Sequence, residues 1–184
     1  MVRILNCPID KLLPHVKAMK SLGYVEKAPG ELLIERFYAA FQQGDYRTMQ
    51  SMYHDRATFC DPVFGTLHAP EARAMWEMLI KSAKDLRITF HHVEADRLQG
   101  ACSWEAWYRF SRTNRPVHNV IRASFAFEDD KIFRHADNFN FWRWSRQALG
   151  FPGLLLGGTS GLHRKVSNTA KENLAKFMAS MPSK

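Results

Sequence analysis

Among the side chains that could do chemistry, Asp61 has the most telling neighbours. Arg56 to Asp61 alternates like a short strand, so Ala57, Phe59 and Asp61 share one face while Thr58 and Cys60 share the other. If the first face is the apolar, pocket-facing one, a carboxyl on it loses water. Its pKa then rises toward the range useful for proton transfer near neutrality. The competing reading is local: Asp before Pro62 commonly opens a turn, and the side chain would simply cap it. A second constellation lies on the stretch from Lys131 to Trp142, which reads as a strand. Alternation puts Phe133, His135, Asp137, Phe139 and Phe141 on one face, so His135 and Asp137 point the same way. A carboxylate beside an imidazole orients it and gives an acid/base pair. The alternative is a pair of polar residues making ordinary hydrogen bonds on the outer surface of the sheet. His118, Asn119 and Arg122 are further polar candidates, with a structural role as the simpler reading.

Other chemistries find no support. His91 and His92 send their rings to opposite faces of a strand and cannot make a two-ligand metal site. The sequence has no HExxH, no Walker loop, no GxGxxG and no Gly-x-Ser-x-Gly. No metal or cofactor is therefore expected. Cys7, Cys60 and Cys102 are odd in number and widely spaced, which argues against a disulfide framework and for a reducing, cytoplasmic compartment.

These groups need elements to hold them. Asp10 to Leu22 reads as a short helix ending at Gly23. Over Glu31 to Gln43, Leu33, Ile34, Phe37, Tyr38 and Phe41 recur at spacings of three and four, one face of a helix. After the Gly44-Asp45 break comes a second short helix, with Tyr46, Met49 and Tyr53 on one side. Pro62 to Ala69 reads as loop, and Pro70 starts a third helix carrying Ala72, Met75, Trp76, Leu79 and Ala83. The period then changes to two. Leu86 to Ala95, Ala101 to Phe110, Val117 to Phe127 and Lys131 to Trp142 read as four strands joined by connections short enough to require antiparallel neighbours. Trp76, Trp104, Tyr108, Phe125 and Phe127 lie on apolar stripes that suit a core, some at a pocket mouth. Trp144 to Leu149 suggests a helical turn, Phe151 to Gly161 a Gly/Leu-rich loop, and Leu162 to Phe177 a basic amphipathic helix. The class is α+β, with three helices on a mainly antiparallel sheet.

The 184 residues suit one domain, residues 30–144, between an N-terminal extension (1–29) and a C-terminal one (145–184). The net charge of +8 sits at the ends: +3 over residues 1–29, +6 over 142–184, and −1 between. Basic ends can touch nucleic acid or an anionic membrane, but solubility and a partner subunit account for them more simply, and neither partner is expected. No apolar run approaches the roughly 20 residues that cross a bilayer.

The element order and five stretches resemble the NTF2-like superfamily, especially its SnoaL-like and ketosteroid-isomerase-like members. LLIERFYAAFQQGDYRTMQSMYHD is similar to the opening helical pair, ATFCDPVFG to the short strand and Asp-Pro turn, and HAPEARAMWEML to the third helix. RPVHNVIRASFAFEDDKIFRHADNFNFW resembles the closing hairpin, and WRWSRQALGFPGLLLG the C-terminal extension of one SnoaL-like subgroup. The resemblance implies a cone-shaped fold with a pocket at its wide end and a homodimer through the outer sheet face. It implies a small apolar ligand, a pocket drawing on Phe37, Tyr38, Phe59, Trp76, Trp104 and Asn119, and acid/base roles for Asp61, His135 and Asp137. In ketosteroid isomerases the Asp of the same turn is the general base. Their oxyanion donors are not matched: Phe37 falls where the Tyr would stand and Ala123 where the second acid would. Two functions follow as expectations: a cofactor-independent isomerase, cyclase, dehydratase or epoxide hydrolase, or a non-catalytic ligand-binding or protein-interaction domain.

Overall fold

The structure, a computed structural model, describes residues 27–181. The expected helix over Asp10 to Leu22 lies outside them. Helix α1 (Pro29–Gln42) starts with Glu31 Oε2 accepting the Ala28 N–H at 3.2 Å, and it buries Ile34, Phe37, Tyr38 and Phe41 along one stripe. After α2 (Tyr46–Ser51) come β1 (Tyr53–Asp61), β2 (Gly65–His68) and α3 (Ala69–Ser82). In α3, Glu71 accepts the His68 N–H at 2.8 Å, and Ala72, Met75 and Trp76 are buried. The meander is β3 (Lys84–Ala95), β4 (Gln99–Phe110), β5 (Arg115–Glu128) and β6 (Lys131–Asn138). Helices α4 (Phe141–Leu149), α5 (Phe151–Leu156) and α6 (Ser160–Ala179) follow.

The six strands form one sheet in the order β2-β1-β6-β5-β4-β3. All neighbours are antiparallel except β1 and β6, which run parallel. Helix α1 packs on β3 and β4, α3 on β1, and the core fills the space between helices and sheet. This is the expected α+β class. Asp129 and Asp130, both at positive φ (52° and 55°), make the tight β5–β6 turn. Among the described residues, no helix is long and apolar enough to cross a membrane.

Five expectations need correcting. Tyr53 begins β1 and is not part of the second helix. Pro62 to Ala69 is not all loop, because Gly65 at φ 67° lets the chain double back and pair Leu67 with Phe59 as β2. The last strand stops at Asn138, and Asn140 accepts the Arg143 N–H at 2.9 Å to start α4, so Phe141 is helical. Phe133 is not on the face of His135. Phe127 pairs with Ile132 but Ala126 pairs with Arg134, so a bulge swings Phe133 out to His54 and Arg56 while Ile132 is buried. Finally, Phe151–Leu156 is helix α5. Its glycines serve contact: a Cβ on Gly153 would stand 1.9 Å from the Ser145 carbonyl oxygen.

Candidate active site

Parallel pairing of β1 with β6 creates the site. Phe59 lies opposite His135 and Cys60 opposite Ala136, so one step further brings Asp61 beside Asp137. On the other flank of β6, Phe125 lies opposite His135 and Ala123 opposite Asp137, with Cys102 of β4 beyond. The pleat turns Phe59, Asp61, His135 and Asp137 toward the helices. Of the two readings of His135 and Asp137, the outer-surface one is overturned: their residues are only 1% and 6% exposed.

His135 is enclosed by aromatic rings. It stacks on Phe125 with centroids 4.3 Å apart, and Phe59 and Phe37 meet it edge-on at 5.1 and 5.5 Å. Its nitrogens join a line of buried polar atoms. Trp76 Nε1 donates to Tyr53 Oη at 2.9 Å, and Tyr53 Oη lies 2.6 Å from His135 Nδ1. His135 Nε2 lies 3.2 Å from Asp137 Oδ1, which also accepts Trp104 Nε1–H at 3.1 Å. One proton arrangement satisfies every member: Tyr53 O–H donates to Nδ1, and Nε2–H donates to Asp137 Oδ1.

Asp61 differs. Its Oδ1 accepts the Val63 and Phe64 N–H groups at 2.9 and 2.5 Å, so the turn-capping reading holds. Burial nevertheless pushes its pKa up to about 7; the two turn N–H bonds oppose the rise and the nearby Asp137 charge adds to it. The residue is half-buried, and among the described residues no hydrogen bond reaches Oδ2. Capping and desolvation coexist: one oxygen is tied to the turn, and the other has no hydrogen bond among the described residues.

Two more tyrosines frame the carboxyls. Tyr108 Oη accepts Trp144 Nε1–H at 2.8 Å; burial raises its pKa, helped by the charge of Asp61. Tyr38 is fully buried, and its hydroxyl has no hydrogen-bond partner among the described residues. Burial raises its pKa well above the ordinary value, with the Cys102 thiol and Asp137 near enough to add to the effect. Burial also pushes Cys102 up to about 12, which keeps its thiol protonated and unreactive.

The structure thus brings together Asp61, His135, Asp137, Phe37, Phe59, Trp76, Trp104 and Tyr38. Asn119 is on the same sheet face but farther along β5, opposite Ala106 and half-buried, with no hydrogen bond to the carboxyls. His118 belongs to the outer face, where it stacks on Trp107 and bonds Glu105 at 2.5 Å; Arg122 is exposed there too. Tyr53 escaped the sequence reading. It continues the alternation of Ala57, Phe59 and Asp61 backward, but exposed Asp55 interrupts the apolar pattern. Among the described residues, one group could offer metal ligands: His54, Glu128 and Asp129 at the β5–β6 turn. Arg56 already pairs with Glu128, which weakens its claim.

A family model for the SnoaL-like domain matches residues 34–135, more than half of the chain, a span that includes Asp61 and His135 and ends before Asp137. The chain belongs to the SnoaL-like family. No curated protein matches this SnoaL-like chain in sequence. Its fold is similar to that of an LEH-like epoxide hydrolase from M. tuberculosis, with 16% identity, 69% of this chain and 92% of that one covered, and a TM-score of 0.56. It also resembles a Catenulispora acidiphila protein of ketosteroid-isomerase-like fold solved with trimethylamine (11% identity, 69% and 97% covered, TM-score 0.58). A third likeness is to IdmH, a proposed polyketide cyclase from Streptomyces antibioticus (17% identity, 66% and 98% covered, TM-score 0.56). At such identities the likeness establishes the NTF2-like fold alone.

Proposed function

We propose that this SnoaL-like protein is a cofactor-independent acid/base catalyst acting on a small, largely apolar molecule. The observation that carries the reading is the pairing of two unequal carboxyls: Asp61, with a pKa near 7, and Asp137, fixed by Trp104 and His135. At neutral pH Asp61 is divided between its acid and base forms, so it can take a proton or return one in a single turnover. Asp137, held in place by Trp104 and His135, lies beside it. His135 and Tyr53 act as positioning residues, fixing the Asp137 carboxylate through Nε2. The buried Tyr38 hydroxyl, with no oxygen or nitrogen partner among the described residues and only the Cys102 thiol beside it, adds a donor that the sequence reading did not provide. Isomerisation, cyclisation, dehydration and epoxide opening all use such a pair; the fold likeness to an epoxide hydrolase and a proposed cyclase supports this class of reaction.

A second reading, ligand binding without turnover, is favoured by Phe37 and Ala123 standing where isomerases keep their oxyanion donors. One experiment separates the two. The Asp61 carboxyl is titrated by NMR in the full chain, with Asp61→Asn to assign the signal, and a panel of terpenoid epoxides, steroids and aromatic polyketides is screened for binding and turnover. An Asp61 pKa near 7 with turnover abolished in Asp61→Asn supports catalysis. Binding that survives the substitution, with no product formed from any bound compound, supports the second reading. A pKa near the ordinary ~3.9 removes Asp61 as the proton carrier.

The outer sheet face remains the proposed homodimer surface. Arg87 lies over Trp107 at 4.1 Å there, and Val120 is exposed.

A further inference from the structure

Eight large apolar side chains are exposed among the described residues, and five of them gather at α4 and α5: Trp142, Phe151, Leu154, Leu155 and Leu156. Scattered exposed leucines need no explanation, but a cluster does. Phe151 is 71% exposed and Leu155 62% exposed, at the tip of a helix only six residues long. The tip is held firmly. Gly153 lets the α5 backbone rest on Ser145, whose Oγ donates to the Gly153 carbonyl at 3.3 Å, and Trp142 Nε1 donates to the Leu154 carbonyl at 3.2 Å. Packing therefore fixes these side chains outward.

Cations border the cluster. The Arg146 guanidinium sits 5.2 Å from the Trp142 ring, and Arg115 lies against Gly150, next to Phe151. Arg143, Arg164 and Lys165 are exposed nearby in the chain. Among the described residues, none of these five forms an ion pair.

We propose that this face docks reversibly on an anionic lipid bilayer, with Phe151 and the leucines entering the boundary between headgroups and acyl chains and the arginines and lysine meeting the headgroups. Charge selects this occupant. A second copy would bring the same positive face, and residues 1–29 of this chain carry five basic residues against two acidic ones. Nucleic acid would answer the charge but gives no use for a phenylalanine and three leucines. The surface shares no residue with the Asp61 site, so its failure would leave the proposed chemistry standing, and the reverse.

Vesicle flotation of the full chain tests it, comparing pure phosphatidylcholine with phosphatidylcholine containing about one third phosphatidylglycerol. The protein is expected to float with the anionic vesicles, to be released by salt, and to blue-shift its tryptophan emission. Phe151→Ser with Leu155→Ser and Leu156→Ser should lower partitioning by roughly tenfold or more, as should Arg146→Gln with Lys165→Gln. Leu155→Ser alone, with an unchanged circular dichroism spectrum, guards against misfolding. Three results would overturn the proposal: no binding to anionic vesicles, binding indifferent to the apolar substitutions and competed by duplex DNA, or a wild-type mass by light scattering that falls in the serine variant without vesicle binding.

Discussion

A histidine beside a carboxylate occurs on each face of the sheet. His135 and Asp137 lie inside, almost without exposure; His118 and Glu105 lie outside, half-buried, at the shorter distance of 2.5 Å. Contact distance alone would rank the outer pair higher. Water reverses the ranking, because it screens the outer charges and can replace either partner. Inside, each atom of the pair depends on its neighbours: Nδ1 on Tyr53, and Oδ1 on Trp104. Enclosure, more than proximity, distinguishes the inner histidine–carboxylate pair from the outer one.

The largest effect should come from the carboxyls. Asp61→Asn and Asp137→Asn are each expected to lower turnover of a substrate by roughly 10²–10⁴-fold, while His118→Ala leaves it unchanged. Equal losses across all three would erase the distinction between the faces. Next in size is stability. His135→Ala removes one of the two partners of both Asp137 and Tyr53 and opens a cavity among the aromatic rings, and should cost about 2–4 kcal/mol in chemical denaturation, against less than about 1 kcal/mol for His118→Ala.

The pH dependence of folding sharpens the comparison further. Asp61 titrates near 7 when folded and near ~3.9 when unfolded, so between those values the folded state holds a proton that the unfolded chain has released. Stability should therefore fall as pH rises through that window, by at most about 4 kcal/mol and by less to the degree that water reaches the half-buried residue. Asp61→Asn keeps the turn acceptor and should flatten this slope in melts at pH 4 to 8. The smallest contrast concerns two tyrosines. Tyr53→Phe removes a partner of His135 and should destabilise by about 1–3 kcal/mol, whereas Tyr38→Phe removes an unsatisfied hydroxyl and should be neutral or mildly stabilising.

Where one period ran unbroken, the sequence was readable. Ile34, Phe37, Tyr38 and Phe41 announced their helix, and Ala57, Phe59 and Asp61 their shared face. Legibility failed where geometry departs from a single period. The bulge at Phe133 reversed the alternation just before His135, so His135 and Asp137 were read on one face together with Phe133, which in fact turns away from them. Four-residue β2 is too short to carry a pattern of its own. Gly153 reads as a loop signal, yet it serves close packing of one helix on another. Parallel contact of β1 with β6, which makes Asp61 and Asp137 neighbours, has no local signature at all.

That contact also sets when the centre can exist. Tyr53 and His135 are 82 residues apart in the chain. During synthesis the first carboxyl emerges early and waits while β3, β4 and β5 are laid down, and only docking of the last strand completes the hydrogen-bonded line. Closing so long a loop is slow and entropically costly. Forms ending before β6 therefore lack His135 and Asp137, and the buried line assembles in one step with the final strand.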